Sequence, residues 1–146
     1  MIPLEKYKEI LENMPIVCVE LIIVHNGKVL LVKRKDEPAK DEWWLPGGRI
    51  LKGETMEQAV SRKAKEEVGF DIEIVKQLGT YDEIFKEAPF GVKTGLHSVC
   101  IEFLCKPKEN ANVKLDKTSK DYKWIESSEG LHPYIKQILK DAKVFT

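Results

Sequence analysis

The sequence predicts an α+β fold, an α/β/α sandwich in which helices cover both faces of a curved mixed sheet. Two observations predict it. Strand-like apolar segments stand early and late in the chain, at Val17 to His25, Lys28 to Arg34 and Leu96 to Cys105. A helical period interrupts them between Glu54 and Val68, and a second amphipathic stretch closes the chain from His132 to Ala142. Strands on either side of a central helix, with another helix at the end, bury apolar faces best as layers around one sheet. A chain of 146 residues has room for one such core, so residues 1–146 are read as a single domain.

Each element has a local reason. Pro3 suits a first helical position, and Leu4, Tyr7, Ile10 and Leu11 form one stripe before Pro15 ends the helix. Asn26-Gly27 between two apolar runs is the signature of a type I′ hairpin. A polar loop, KDEPAKDE, leads to Trp43-Trp44-Leu45-Pro46 and then Gly47-Gly48, which by itself reads as a turn. Thr55 followed by Gln58 is a capping box that starts the central helix, and Gly69 stops it after Val68. Asp71 to Gln77 and Gly79 to Phe85 read as two strands. Lys86 to Thr94 reads as a loop, and Tyr122 to Ile125 as a strand end after a polar stretch. In the last helix Tyr134, Ile135, Ile138 and Leu139 share one side.

Composition narrows the function classes. Lys and Arg number 24 against 24 Asp and Glu, so a general electrostatic grip on nucleic acid or an anionic membrane is not expected. Cys18, Cys100 and Cys105 show no metal-binding spacing and read as buried reduced thiols. The longest apolar run, Val17 to Val24, contains Glu20 and is too short to span a bilayer. The first residues, MIPLEKYKEILEN, lack the apolar core of a signal peptide, so a cytoplasmic protein is expected.

The informative segment is GGRILKGETMEQAVSRKAKEEVGF, Gly47 to Phe70. Arg62 and Glu66 are one helical turn apart, as are Lys63 and Glu67. Two carboxylates in a last helical turn oppose the helix dipole. A solvated charged face is one explanation. The other is a hard divalent cation, held by Glu66 and Glu67, that offsets the cost. Glycines at 47 and 48 would let the backbone approach such an ion or a phosphate.

Together these residues resemble the Nudix box, G-x5-E-x7-R-E-U-x-E-E-x-G-U, where U is bulky and aliphatic. Gly48, Glu54, Arg62, Glu66, Glu67 and Gly69 fall in register, with Phe70 at the last bulky position. The resemblance implies the Nudix fold, hydrolysis of a nucleoside diphosphate derivative, and Mg²⁺ (or Mn²⁺) held by Gly48, Glu66 and Glu67, with Arg62, Glu66 and Glu67 as the catalytic set. Two positions depart from it. Ala64 replaces the aliphatic residue, and Lys63 replaces the first glutamate of the run, a usual metal ligand. A lysine cannot ligate while protonated, which points to a site for one ion, while the two retained glutamates leave an ordinary Nudix pyrophosphohydrolase open. A member that binds nucleotide without turnover is a third possibility.

The flanking segments MPIVCVELIIVHNGKVLLVKR, WWLPGGRI, LHSVCIEF and DYKWI are similar in order to the GDP-mannose mannosyl hydrolases within this family. That subgroup lacks the same glutamate, uses one Mg²⁺, and breaks the sugar C1–O bond rather than a pyrophosphate bond. Arg34 and Arg49 match its diphosphate-contacting arginines, and Glu20 matches an acid near its nucleotide. One of Trp43 and Trp44 is expected in the core, the other free to stack on a base or to line a subunit contact, and Trp44 is included among the substrate-binding residues. The subgroup also implies a homodimer. Its catalytic histidine is absent, with Ser119 in that place. His97, alternating with Val99, Ile101 and Phe103, reads as a core histidine, and His25 and His132 as surface residues. Glu66, Glu83, Glu102, Asp116 and Asp121 are the other candidate bases.

Overall fold

The computed structural model describes residues 1–145 and shows the α+β architecture. Its elements run α1 (Leu4–Asn13), β1 (Ile16–His25), β2 (Lys28–Arg34), β3 (Trp43–Trp44), β4 (Gly47–Arg49), α2 (Met56–Glu67), β5 (Ile72–Phe85), β6 (Leu96–Pro107), β7 (Ser119–Ile125) and α3 (Pro133–Ala142). The strand order is β3-β2-β1-β6-β5, with β4 also paired to β1 and β7 to β2. The sheet is mixed: β1 and β6 are parallel from Ile16/Ser98 to Ile23/Cys105, and the other pairs are antiparallel. Asn26 and Gly27, at φ +53° and +76°, make the β1–β2 turn that the sequence asks for.

Strand alternation sends successive side chains to opposite layers. Val19, Leu21 and Ile23 join Leu30, Val32 and Phe103 against Ala59, Val60, Ala64 and Val68 of the α2 region. Ile22, Val29 and Leu31 join Trp44 and Leu45 against Ile135, Ile138 and Leu139 of α3. Leu21 is fully buried, and truncation to alanine would cost about 2–5 kcal/mol. The capping box forms as expected, with Gln58 N donating to Thr55 Oγ1 at 3.1 Å and Thr55 N to Gln58 Oε1 at 2.9 Å. Gly69 then takes φ +81°, and a Cβ there would lie 2.9 Å from the Lys114 carbonyl oxygen.

Three expectations are corrected. The two strands expected after α2 are one strand, β5, because single extra residues are absorbed as register shifts at Ile74/Lys76 and Gln77/Thr80. Gly79 therefore marks an irregularity within a strand, not a turn. Gly47-Gly48 is not a turn but the start of β4, pressed so close to β1 that a Cβ on Gly47 would lie 2.2 Å from Val19 O. Leu4, placed on the apolar stripe of α1, is half exposed, while Leu11 is the residue that packs with Val92 and Leu96.

Candidate active site

Helix α2 brings its last turn against β4. Lys63 Nζ lies 2.7 Å from Glu67 Oε2 and 3.5 Å from Glu66 Oε2, and Gly47 N–H donates to Glu67 Oε1 at 3.3 Å. Burial pushes the Glu67 carboxyl up, with Lys63 and the Gly47 amide pulling against it. Burial pulls the Lys63 ammonium down, but Glu67 and Glu66 overcome this and hold it above the ordinary lysine value. A Cβ on Gly48 would meet Lys63 Cε at 2.7 Å, so the missing side chain is what admits the lysine stem. Both carboxylates of this turn are thus engaged by Lys63, and Glu67 shares a pocket wall with Gly48.

Arg62 works on the other side of the same turn. Its Nε donates to Glu54 Oε2 at 2.6 Å and its second amino group to Glu54 Oε1 at 2.9 Å, a two-point fork. It also reaches Arg49 O at 2.9 Å and Glu66 Oε2 at 3.2 Å. The Arg62 hydrogen bonds hold the Glu54 carboxyl down at about 2. Arg62 thus ties the segment after β4 to the helix.

Beside this turn opens a pocket of about 250 Å³ whose wall includes Gly48, Glu67, Arg34 and Arg49. Arg34 ends β2 and is held by its Nε donating to Pro38 O at 2.5 Å, while Arg49 ends β4 with its guanidinium 4.9 Å from the Tyr7 ring centre. The floor is the sheet face between them, and it is acidic. Glu20 of β1 accepts from Trp44 Nε1 at 3.2 Å and from the Tyr134 hydroxyl at 3.0 Å. Glu83 of β5 is buried and receives a 3.9 Å contact from the Cys100 thiol. One ligating atom each from Glu20, Glu83 and Cys100 lies within 4.8 Å of the others. Glu102, the register partner of Glu20, is wholly buried, and neither of its oxygens has a hydrogen-bond donor among the described residues. Burial, the Glu20 charge and Glu83 push the Glu102 carboxyl well up.

The NUDIX domain family matches residues 14–143 of this chain. The chain belongs to the Nudix family. It is similar to the low-salt glycan biosynthesis protein Agl8 of Haloferax volcanii, 36% identical over 139 residues, covering 94% of this chain and 88% of that protein. It is 45% identical over 78 residues to an ADP-ribose pyrophosphatase of Methanocaldococcus jannaschii, covering 53% of this chain and 45% of that one. Among solved structures, a MutT NUDIX hydrolase from Burkholderia pseudomallei superposes with a TM-score of 0.74 at 27% identity, over 90% of this chain and all of that one. The protein is a Nudix hydrolase acting on nucleoside diphosphate derivatives, a family that generally uses a divalent metal.

In this Nudix hydrolase the residues singled out from sequence fall into two groups. Gly48, Glu67, Arg34, Arg49, Glu20 and Trp44 all reach the pocket wall, whereas Arg62 and Glu66 stand outside it. Trp44 is the tryptophan in the core. Its ring is stacked on Tyr134 at 5.5 Å and 7°, so it is not a free platform for a base, and its indole N–H orients Glu20. Trp43 lies instead under Lys123 and Lys33. His97 is not a core residue: its side chain is 44% exposed, 3.9 Å from Asp82. Nor is His132 a free surface residue, since its Nδ1 caps Tyr134 N and its ring packs on Trp44. Ser98 and Cys100 of the pocket wall were not expected. The available signal was alternation, which puts Ser98, Cys100 and Glu102 on one face of β6.

Proposed function

We propose that this Nudix hydrolase cleaves a nucleoside diphosphate sugar, GDP-mannose-like, at the sugar C1–O bond, releasing nucleoside diphosphate and free sugar. The observation that carries this reading is the charge division of the pocket, with Arg34 and Arg49 at its sides and Glu20 and Glu83 on its floor. A diphosphate suits the guanidinium forks. Next to it, an acidic floor accepts hydrogen bonds from sugar hydroxyls and favours positive charge as it grows at C1, while it repels further phosphate. The likeness to a glycan biosynthesis protein along nearly the whole chain supports a sugar-bearing substrate.

Glu67, Glu66 and the Gly48 backbone fit one hard cation, Mg²⁺ or Mn²⁺. With Lys63 between the two carboxylates, the last turn of α2 offers no further acid for a second ion. Bound there, the ion would neutralise charge on the diphosphate. The substrate is a small molecule, with neither nucleic acid nor membrane as partner. We further read the enzyme as a cytoplasmic homodimer. In support of pairing, the edge strand β5 exposes Val75 and Ile84, at 51% and 71%. A monomer by sedimentation equilibrium at micromolar concentration rejects that part.

A second reading, pyrophosphate cleavage, is favoured by the retention of both Glu66 and Glu67 and by the likeness to an ADP-ribose pyrophosphatase. Hydrolysis in ¹⁸O water separates the two. Label in free sugar with unlabelled nucleoside diphosphate supports cleavage at carbon. Nucleoside monophosphate and sugar phosphate, with label on a phosphoryl group, transfer the assignment to the second reading.

A further inference from the structure

We infer that Glu83 is the general base of this hydrolase, taking the proton of the water that attacks the sugar. The inference rests on the reading of C1–O cleavage above. The first support is elimination by geometry. None of the three histidines is on the pocket wall. Ser119 is there, beside Arg34 across the β2–β7 pair, but a hydroxyl is no base near neutrality. Glu66 is bound by Arg62 and Lys63, and Glu67 by Lys63 and the Gly47 amide. Asp116 accepts from Thr118 N and Oγ1, Asp121 from Tyr122 N, and neither lines the pocket. Of the two acids on the wall loop, Asp36 is solvent-exposed and Glu37 accepts Lys40 N–H at 3.1 Å.

Two acids remain on the floor, and they differ in what they hold. Glu20 has one donor on each oxygen, Trp44 Nε1 and the Tyr134 hydroxyl, so both of its oxygens are already engaged. Among the described residues Glu83 receives the distant Cys100 thiol at 3.9 Å, and the Trp44 indole N–H, whose hydrogen bond goes to Glu20, pulls its carboxyl down only as a lesser influence. The second support comes from behind the floor. The titratable and charged groups around Glu83 are Glu20 from β1, Glu102 and Cys100 from β6, Arg34 from β2 and Tyr134 from α3. Glu102, wholly buried with both oxygens free of donors among the described residues, faces this same cluster through its register partner Glu20. One cation, Arg34, against three acids leaves the cluster short of positive charge, so it attracts a proton. Burial and the Glu20 charge accordingly push Glu83 up to about 8, with Arg34 pulling back. A carboxylate in that range is basic enough to accept a proton from water and still partly ionised near neutrality.

The water oxygen bonds to C1 while the C1–O bond to the diphosphate breaks, and its electron pair goes to the leaving phosphate oxygen beside Arg34 and Arg49. The water proton passes to Glu83, which later returns it to solvent.

The test compares wild type, E83Q and E83A on a nucleoside diphosphate sugar in ¹⁸O water, with folding checked by thermal unfolding. For E83Q we expect kcat to fall about a hundredfold or more with KM changed little, and the acid limb of the pH profile to vanish from the residual rate. For E83A we expect azide or formate to restore turnover, azide giving the sugar azide. Label on a phosphoryl group in the wild type overturns the C1 reading and this inference with it. Label in the sugar together with an E83Q enzyme of unchanged rate and pH profile overturns only the role of Glu83. Loss of activity in a folded E83A that neither azide nor formate restores makes Glu83 a pocket-shaping residue and also overturns it.

Discussion

Lys63 Nζ stands 2.7 Å from Glu67 Oε2, a position in which a side chain of this protein supplies positive charge between two acids at a helix C-terminus. The pairing offsets the unfavourable interaction of Glu66 and Glu67 with the α2 dipole. It also sets a condition on any cation, which must compete with an ammonium already in contact with the buried carboxylate.

Replacing that lysine should therefore change metal binding directly. K63E removes the competing charge and adds a carboxylate one turn from Glu67. Titration with Mn²⁺ followed by electron paramagnetic resonance should show tighter binding or an additional ion. Unchanged affinity and stoichiometry would remove residue 63 from the account of the metal site.

Glu67 should dominate the dependence on metal. E67Q keeps the shape and loses the charge, and turnover should fall at least about a hundredfold, roughly 2.7 kcal/mol of transition-state stabilisation. Initial rates across a Mg²⁺ series check this. Full activity at both limiting and saturating Mg²⁺ rejects Glu67 as the principal ligand.

The Arg62–Glu54 fork predicts a component of acid unfolding. The carboxyl of Glu54 lies at about 2 in the folded protein against an ordinary 4.5. The stability it contributes is complete above about pH 4.5 and is lost as the pH falls through 2. In E54Q the unfolding free energy from urea titrations should vary less across that window than in the wild type. Equal slopes would show that the fork contributes nothing measurable.

Glu83 has the opposite sign. Its folded value of about 8 lies above the ordinary 4.5, so its contribution is complete below pH 4.5 and declines as the pH rises through 8. E83Q should flatten that decline. A wild-type stability that rises steadily from pH 5 to 8, with E83Q parallel to it, contradicts the burial argument.

Trp44 and Tyr134 should act through Glu20. Removing either donor, in W44F or Y134F, leaves a buried carboxylate oxygen without a partner and should cost about 1–3 kcal/mol. In an E20Q background each loss should shrink, a coupling of about 0.5–3 kcal/mol that a double-mutant cycle measures. Additive effects would assign both residues to packing alone.

The sequence by itself determined most of the elements and the family. The Thr55–Gln58 cap, the Asn26-Gly27 turn and the spacing from Gly48 to Phe70 are local signals, set by backbone geometry over a few residues, and each appears in the structure where the residues put it. Local spacing likewise placed Lys63 within reach of Glu67, because i,i+4 on a helix is a contact wherever the helix packs. The acidic floor was decided by tertiary structure. Alternation says which face of its own strand a residue takes, but only the order β1-β6-β5 and the parallel register of β1 with β6 bring Glu20, Glu102 and Glu83 together from positions more than sixty residues apart in the case of Glu20 and Glu83. The same holds for Trp44 over Trp43. Adjacent residues in a strand point opposite ways, and it was the docking of α3, with Tyr134 stacked on one ring, that chose which tryptophan was buried.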